Sequence, residues 1–401
     1  MVRAPIDRPR CARVLGRANG RAQPPGCVLR CPGCAERELD PGARHVRLHR
    51  RLLRELGPWA AVMSEGVQGT GVSLNYRDRV SLHVAPNGAG PDDHGRRVGL
   101  LRDLEVVDIR RCPVHSPRVR AAIAVLSPVL PSGLPVRFWV QNGGQLTLVV
   151  KDRAEVWGYP NRSSTRRPRL PPWLNPDTSL RLAAAGIDGV WLHFNPCAGD
   201  NLFIKRGWHL SWGQAWSRDA NGLLHGPSCF QQVNPALHRR ILDAAEAFLA
   251  PGPGDQVFDL YCGYGGSLPR WTARRAHVVG VERSLEAVRW ARINALHARV
   301  LAGPVAQRVP QLRAFAEAPA GQRLAFVNPP RTGLEPAVRA QLSTALRCAR
   351  LAYLSCSPRT LARDLAELEA AGYRVTALCA YDLFPRTPHV ETLALLRDCA
   401  C

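Results

Sequence analysis

The stretch Gln256-Val257-Phe258-Asp259-Leu260-Tyr261-Cys262-Gly263-Tyr264-Gly265-Gly266 decides the fold of this chain. A short apolar run reaches Asp259, and glycines follow at 263, 265 and 266. Such a run reads as a strand, and glycines just past its end let the backbone turn sharply and approach a ligand. Glu282 closes the next apolar run, 277–281, nineteen residues after Gly263. In nucleotide-binding α/β domains a carboxylate there accepts hydrogen bonds from ribose hydroxyls. An acidic residue stands before the turn and a full G-x-G-x-x-G is missing, which favours S-adenosylmethionine over a dinucleotide. The competing reading is a structural turn with a strand-terminal Glu.

Working outward, the same rhythm runs from about 227 to the end. Helices are expected at 235–249, 284–298, 336–349 and 360–371, and strands at 256–260, 277–281, 324–327, 351–354 and 390–396. Strands alternating with helices imply an α/β, Rossmann-like domain with a mostly parallel sheet, here 226–401. Upstream, 46–225 reads as a smaller β-rich central domain. Val136–Val140 and Leu146–Val150 flank Gln141-Asn142-Gly143-Gly144-Gln145, a hairpin signal. Further strands are expected at 81–84, 190–194, 202–204 and 208–212, with a Pro-, Arg- and Ser-rich surface loop at 158–178. Seven of the ten Trp lie between Trp139 and Trp216; they suit a small core better than a base-stacking surface. Residues 1–45 are rich in Arg, Gly, Pro and Cys and would need a metal or a partner to order them.

The 401 residues carry a formal net charge of +22, almost all of it from Arg, with Lys only at 151 and 205. Arg codon preference explains Arg over Lys but not the excess of base over acid. Residues 1–60 hold 13 Arg against five acidic residues, and Arg166, Arg167 and Arg169 cluster again. That surplus points to RNA or another polyanion as partner. No apolar run is long enough to span a bilayer and the N-terminus lacks signal-peptide order, so a cytoplasmic protein without membrane contact is expected. Thirteen cysteines without a secretion signal argue against a disulfide framework.

Asn328-Pro329-Pro330-Arg331 stands where a further strand should meet the ligand crevice. The two prolines fix the backbone and would aim Asn328 at a substrate or methyl donor. In amino-group methyltransferases an aromatic residue follows a similar Asn-Pro-Pro, whereas Arg331 follows here. Cys356, in Ser355-Cys356-Ser357-Pro358, comes after the apolar run 351–354 and so belongs at a strand end. A helix N-terminus near Thr360, Arg331 or Arg359 would favour its thiolate, and this is the candidate nucleophile. For Cys262, Cys348 and Cys379 core packing is preferred. Glu391 lies in the otherwise apolar 390–396. Burial would raise its pKa, as suits a general base, while a structural Glu paired with Arg is equally compatible with the spacing.

Taken together these segments resemble the RNA 5-methyluridine methyltransferase family. Phe230-Gln231-Gln232-Val233-Asn234 is similar to its F-x-Q-x-N, Asp259–Gly266 to its D-L-[YF]-C-G-x-G, and Asn328–Gly333 to its [DN]-P-P-R-x-G. Ser355–Pro358 with Thr360-Leu361-Ala362-Arg363-Asp364-Leu365 resembles its S-C-N-x-x-T-[LM]-x-[RK]-D-[LI], and Leu383-Phe384-Pro385 with His389–Leu396 its ending. The likeness is strong over 225–397 and weak over 27–225. It implies methylation of uracil carbon 5, with Cys356 as nucleophile and Glu391 as base. It also implies methyl-donor contacts from Gln232, Tyr261, Glu282 and Asn328, around the turn at Gly263 and Gly266. Ser357 and Gly266 depart from the family, each standing where Asn is usual or frequent. Asn328 in place of Asp favours the subset acting on 23S ribosomal RNA; transfer RNA is the alternative substrate, and an inactive, metal-stabilised RNA-binding protein the alternative class. A monomer is expected.

Many relatives bind a [4Fe–4S] cluster through four cysteines. Cys31-Pro32-Gly33-Cys34 and the distant Cys112 resemble the last three ligands, and Cys27 is preferred over Cys11 as the fourth. Four-cysteine zinc is the competing reading. No added nucleic-acid-binding domain is expected before these cysteines, which would resemble the shorter ribosomal RNA enzymes.

Overall fold

The computed structural model describes residues 23–86, 95–160, 163, 170–318 and 321–399. Cys11, Arg166, Arg167 and Arg169 lie outside the described residues.

Eight strands form the larger sheet, in the order Met63–Gln68, Tyr373–Tyr381, Glu391–Asp398, Arg350–Ser355, Arg323–Val327, Gln256–Leu260, His277–Glu282, Ala298–Ala302. All run parallel except Glu391–Asp398, which is antiparallel to both neighbours. That single reversal has a functional consequence. The ends of parallel strands and the beginning of the reversed one share an edge, the edge where open α/β sheets bind ligands. Apolar clusters cover both faces: one contains Phe258, Val279, Tyr353 and Leu365, the other Leu237, Val257, Trp271 and Leu354.

Seven further strands make a second sheet in the order Glu105–Asp108, Arg97–Arg102, Arg79–Ala85, Val136–Asn142, Gln145–Val150, Gly189–Phe194, Trp208–Gly213. Its central hairpin turns at Gly143, φ +57°, and Gly144. Buried Trp139, Leu146, Leu148 and Val190 form its core. Asn142 ties the hairpin to the other half, its side-chain amide donating to the carbonyls of Gly226 and Cys229 at 3.2 and 2.8 Å.

The expected boundary at residue 45 does not match the packing. Pro41–Glu55 is one helix, N-capped by Asp40, and Met63–Gln68 is the edge strand of the larger sheet. Leu48 and Leu52 are buried in the same cluster as Val327 and Tyr353. Residues 41–68 therefore belong with the C-terminal domain. Three other expectations are corrected. Residues 202–204 form no strand; Leu202 and Phe203 pack as irregular chain beside Phe138, and Asn195 donates to the Leu202 carbonyl. The helix from Pro336 stops at Leu342, where the Ser343 and Thr344 hydroxyls bond back to Arg339 and Ala340 carbonyls and compete with the backbone. The helix after Ser284 ends at Asn294, whose side chain leaves it to donate to the carbonyls of Leu224 and Tyr264.

Candidate active site

Register brings the expected cofactor residues to one level. Leu260 pairs with Val281 on one side and Val327 on the other, so Tyr261, Glu282 and Asn328 stand side by side just past it. Asn328 N–H donates to Leu260 O at 3.2 Å, prolonging that ladder by one bond. Tyr261 takes φ +64° and Gly263 φ +58°, a left-handed stretch in which only the glycine is at ease. The Tyr261 ring packs against the core shared with Leu260 and Val327. Glu282 accepts from the backbone N–H of Gly263 at 3.2 Å and of Ser284 at 2.7 Å, so it braces the turn. Gly265 admits helix Leu285–Asn294, since a Cβ there would stand 3.0 Å from Ala291 Cα. Gly266 meets no such need; a Cβ would touch only Tyr264, at 3.8 Å. Asp259 points away from the crevice into the fold. Burial pushes it up to about 7, against bonds from Ser267 Oγ at 2.5 Å and Trp271 Nε1 at 2.7 Å.

A methyl donor of the S-adenosylmethionine type fits this crevice on two counts. A Cβ on Gly263 would meet nothing within 4 Å, which leaves room above the turn. Gln232, in the segment before helix Pro235–Leu249, has a buried Oε1 without a hydrogen-bond partner among the described residues.

The two candidate residues Cys356 and Glu391 meet across the reversed strand. Ser355 pairs with Thr392 at the end of the ladder, which sets Cys356 against Glu391 one step further on. Glu391 is 3 % exposed. Burial lifts its carboxyl from 4.5 to about 8, and the charge of Arg331 draws it back down. The half-buried Cys356 thiol is raised by burial first and by the Glu391 charge second, while Arg331 lowers it by charge and by hydrogen bond. Arg331 thus favours the ionised form of both groups.

Two contacts hold the Arg331 loop beside Cys356. Thr360 Oγ1 donates to Arg331 O at 3.1 Å. Buried Asp364 accepts from Leu334 N–H at 2.7 Å, Tyr353 Oη at 2.6 Å and Arg339 Nη1 at 3.1 Å. Gly333, φ +78°, lets that carboxylate approach, for a Cβ would lie 2.5 Å from its oxygen. Sequence reasoning quoted Thr360 and Asp364 as motif letters and assigned them no role. Ser357 caps helix Pro358–Ala370, its Oγ accepting from Thr360 N–H at 3.5 Å. Asn, usual at that place in the family, is as good a cap as Ser, so the departure leaves the local fold intact.

Cys27, Cys31, Cys34 and Cys112 line one small cavity together with Arg37 and Arg386. Burial raises the thiols of Cys31 and Cys112. Gly33 N–H donates to Cys31 Sγ at 3.4 Å. Among the described residues no three His, Cys, Asp or Glu side chains are grouped to hold a single metal ion.

A twisted parallel sheet with a glycine turn after its first central strand is the architecture of S-adenosylmethionine-dependent methyltransferases. A family model described as tRNA (Uracil-5-)-methyltransferase matches residues 225–399. The 23S rRNA (uracil(1939)-C(5))-methyltransferase RlmD of Pseudomonas aeruginosa is 41% identical, over 96% of this chain and 83% of its own. RlmD of Thiobacillus denitrificans is 39% identical over 91% and 83%. The solved structure of Pyrococcus abyssi tRNA (uracil-54, C5)-methyltransferase, in complex with S-adenosyl-L-homocysteine, shares the fold. Its TM-score is 0.67 at 23% identity, covering 91% of this chain and 86% of that one. This chain belongs to the RNA uracil-5-methyltransferase family.

Proposed function

We propose that this enzyme methylates carbon 5 of a uridine in 23S ribosomal RNA, with Cys356 as nucleophile and Glu391 as general base. The observation that carries the reading is the placement of these two residues opposite each other, one step past the last rung of the ladder, with Arg331 beside both. Relatives at 39% and 41% identity, each named for 23S rRNA, support the choice of RNA.

Carbon 5 of uracil is a poor nucleophile. Cys356 releases its proton to solvent, its thiolate stabilised by Arg331, and its sulfur bonds to carbon 6; the ring electrons move to the carbonyl oxygen as an enolate. Carbon 5 then becomes reactive toward a methyl cation equivalent. When bound, S-adenosylmethionine supplies that electrophile as a methyl sulfonium, held by Gln232, Tyr261, Gly263, Gly266, Glu282 and Asn328. Glu391 takes the proton from the methylated carbon 5. The electron pair released re-forms the ring double bond and expels the Cys356 thiolate. Burial keeps water from Glu391, which makes the carboxylate a stronger base than it would be in solvent.

The seven-stranded domain would grip the RNA, supported by the net charge of +22. Cys27, Cys31, Cys34 and Cys112 would hold a [4Fe–4S] cluster. A purely thiolate set suits iron–sulfur. Zinc remains the alternative for the visible spectrum to decide. The free thiols suit a reducing cytoplasm.

Mass spectrometry of RNA from cells with and without the gene tests the function. Loss of a 5-methyluridine from 23S rRNA is expected; loss from transfer RNA instead would move the substrate, and no loss would contradict the reaction. Anaerobically purified protein should absorb visible light, and Cys31→Ser should bleach it.

A further inference from the structure

The connection 382–390 delivers Glu391 to the site, and it is held by side chains from the other end of the chain. Arg44, 3 % exposed, lies against it from helix Pro41–Glu55. Its guanidinium donates from Nη1 and Nη2 to the two carboxylate oxygens of Asp382. Nη2 also reaches the carbonyls of Phe384 and Thr387, at 3.2 and 2.5 Å. Nε donates to Thr387 O and to Glu36 Oε2, both at 3.0 Å. Glu36 N–H in turn donates to Arg386 O at 3.0 Å, and Arg51 Nη1 to Pro388 O at 2.6 Å. Three carbonyls and a carboxylate of one short connection therefore converge on two arginines. A loop that is to place a general base within hydrogen-bond reach of a ring proton has little tolerance, because a misplacement of about 1 Å costs about a hundredfold in rate.

We propose that Arg44, seconded by Arg51, is a positioning residue for the proton-abstraction step: it fixes connection 382–390 and so the place of Glu391. The inference rests on Glu391 being the base. Arg44 does not touch the reacting atoms, and its effect is confined to the second half of the reaction. Addition of Cys356 and methylation of carbon 5 go forward without it. Removal of the carbon 5 proton slows, so the carbon 6–sulfur bond persists and methylated RNA stays attached to Cys356.

Arg44→Lys retains the charge between Glu36 and Asp382 but lacks the planar fork that spans four acceptors. Arg51→Met removes the Pro388 contact from a partly exposed arginine and is the variant that decides if Arg44→Lys fails to fold. Each would be mixed with 23S rRNA fragment and S-adenosylmethionine, and denaturing gels would follow methyl label in free RNA and in protein-linked RNA. Glu391→Gln is the reference and should accumulate the methylated adduct while turnover falls by about 10²–10⁴-fold. With folding verified by thermal melt, Arg44→Lys should accumulate the same adduct, with release slowed about a hundredfold and adduct formation little changed. Release at the wild-type rate, or equal slowing of both steps, would overturn the positioning role. Failure of Glu391→Gln to accumulate adduct would instead overturn the base assignment beneath it.

Discussion

Glu391 is held where its own charge is disfavoured. In the unfolded chain its carboxyl loses its proton near 4.5, and in the fold near 8, chiefly through burial. Between those values the folded state keeps a proton that the unfolded state has released. The protonated form's contribution to stability is complete below pH 4.5 and disappears as pH rises through 8. Glu391→Gln should therefore match the wild type near pH 4.5 and exceed its stability by about 5 kcal/mol at pH 9. Urea unfolding over a pH series checks this, and a difference independent of pH would contradict it. If Glu391 is the base, the protein gives up stability for function at this position. Arg331, beside both reacting groups, limits that loss.

Among elements, helix Pro358–Ala370 and the reversed strand Glu391–Asp398 matter most. The helix starts two residues after Cys356, so its cap also sets the backbone of that residue. Ser357→Ala should cost about 1 kcal/mol by loss of the cap, and Ser357→Asn should cost little; equal melting of all three proteins would show that the cap carries no weight. Much of this was legible in the sequence. Apolar runs ending in Asp259, Glu282 or Cys356 announce strands that stop at a crevice, and Pro235–Leu249 and Gln256–Leu260 have the bounds expected of them. The antiparallel sense of the last strand was not legible, because pairing direction leaves no mark on a run of apolar residues, and it is this sense that sets Glu391 against Cys356. Helix Pro41–Glu55 was missed for another reason. Its buried Leu48 and Leu52 are spaced as one face, but the arginines around them lower the apparent hydrophobicity of the segment. Arg44, Glu36 and Asp382 have no local pattern at all, since they meet only when the chain's two ends do.

On the scale of the whole molecule, the N-terminal segment does two things at once. Its cysteines line a cavity that also includes Arg386, and its Arg44 and Arg51 hold the connection on which Arg386 lies. The seven-stranded sheet is joined to the catalytic half at Asn142, so RNA held by one domain can present a base at the crevice of the other. A base must leave its stack to reach a half-buried thiol, and a loop nucleotide does so most readily. The central claim is that Cys356 bonds to that base. Peptide mass spectrometry of the enzyme incubated with S-adenosylmethionine and a 5-fluorouridine RNA tests it most directly, because fluorine at carbon 5 leaves Glu391 no proton to remove. Methylated fluorouridine should be found attached to Cys356 and to no other residue. Attachment elsewhere, or full methylation of ordinary RNA by Cys356→Ala, would contradict it.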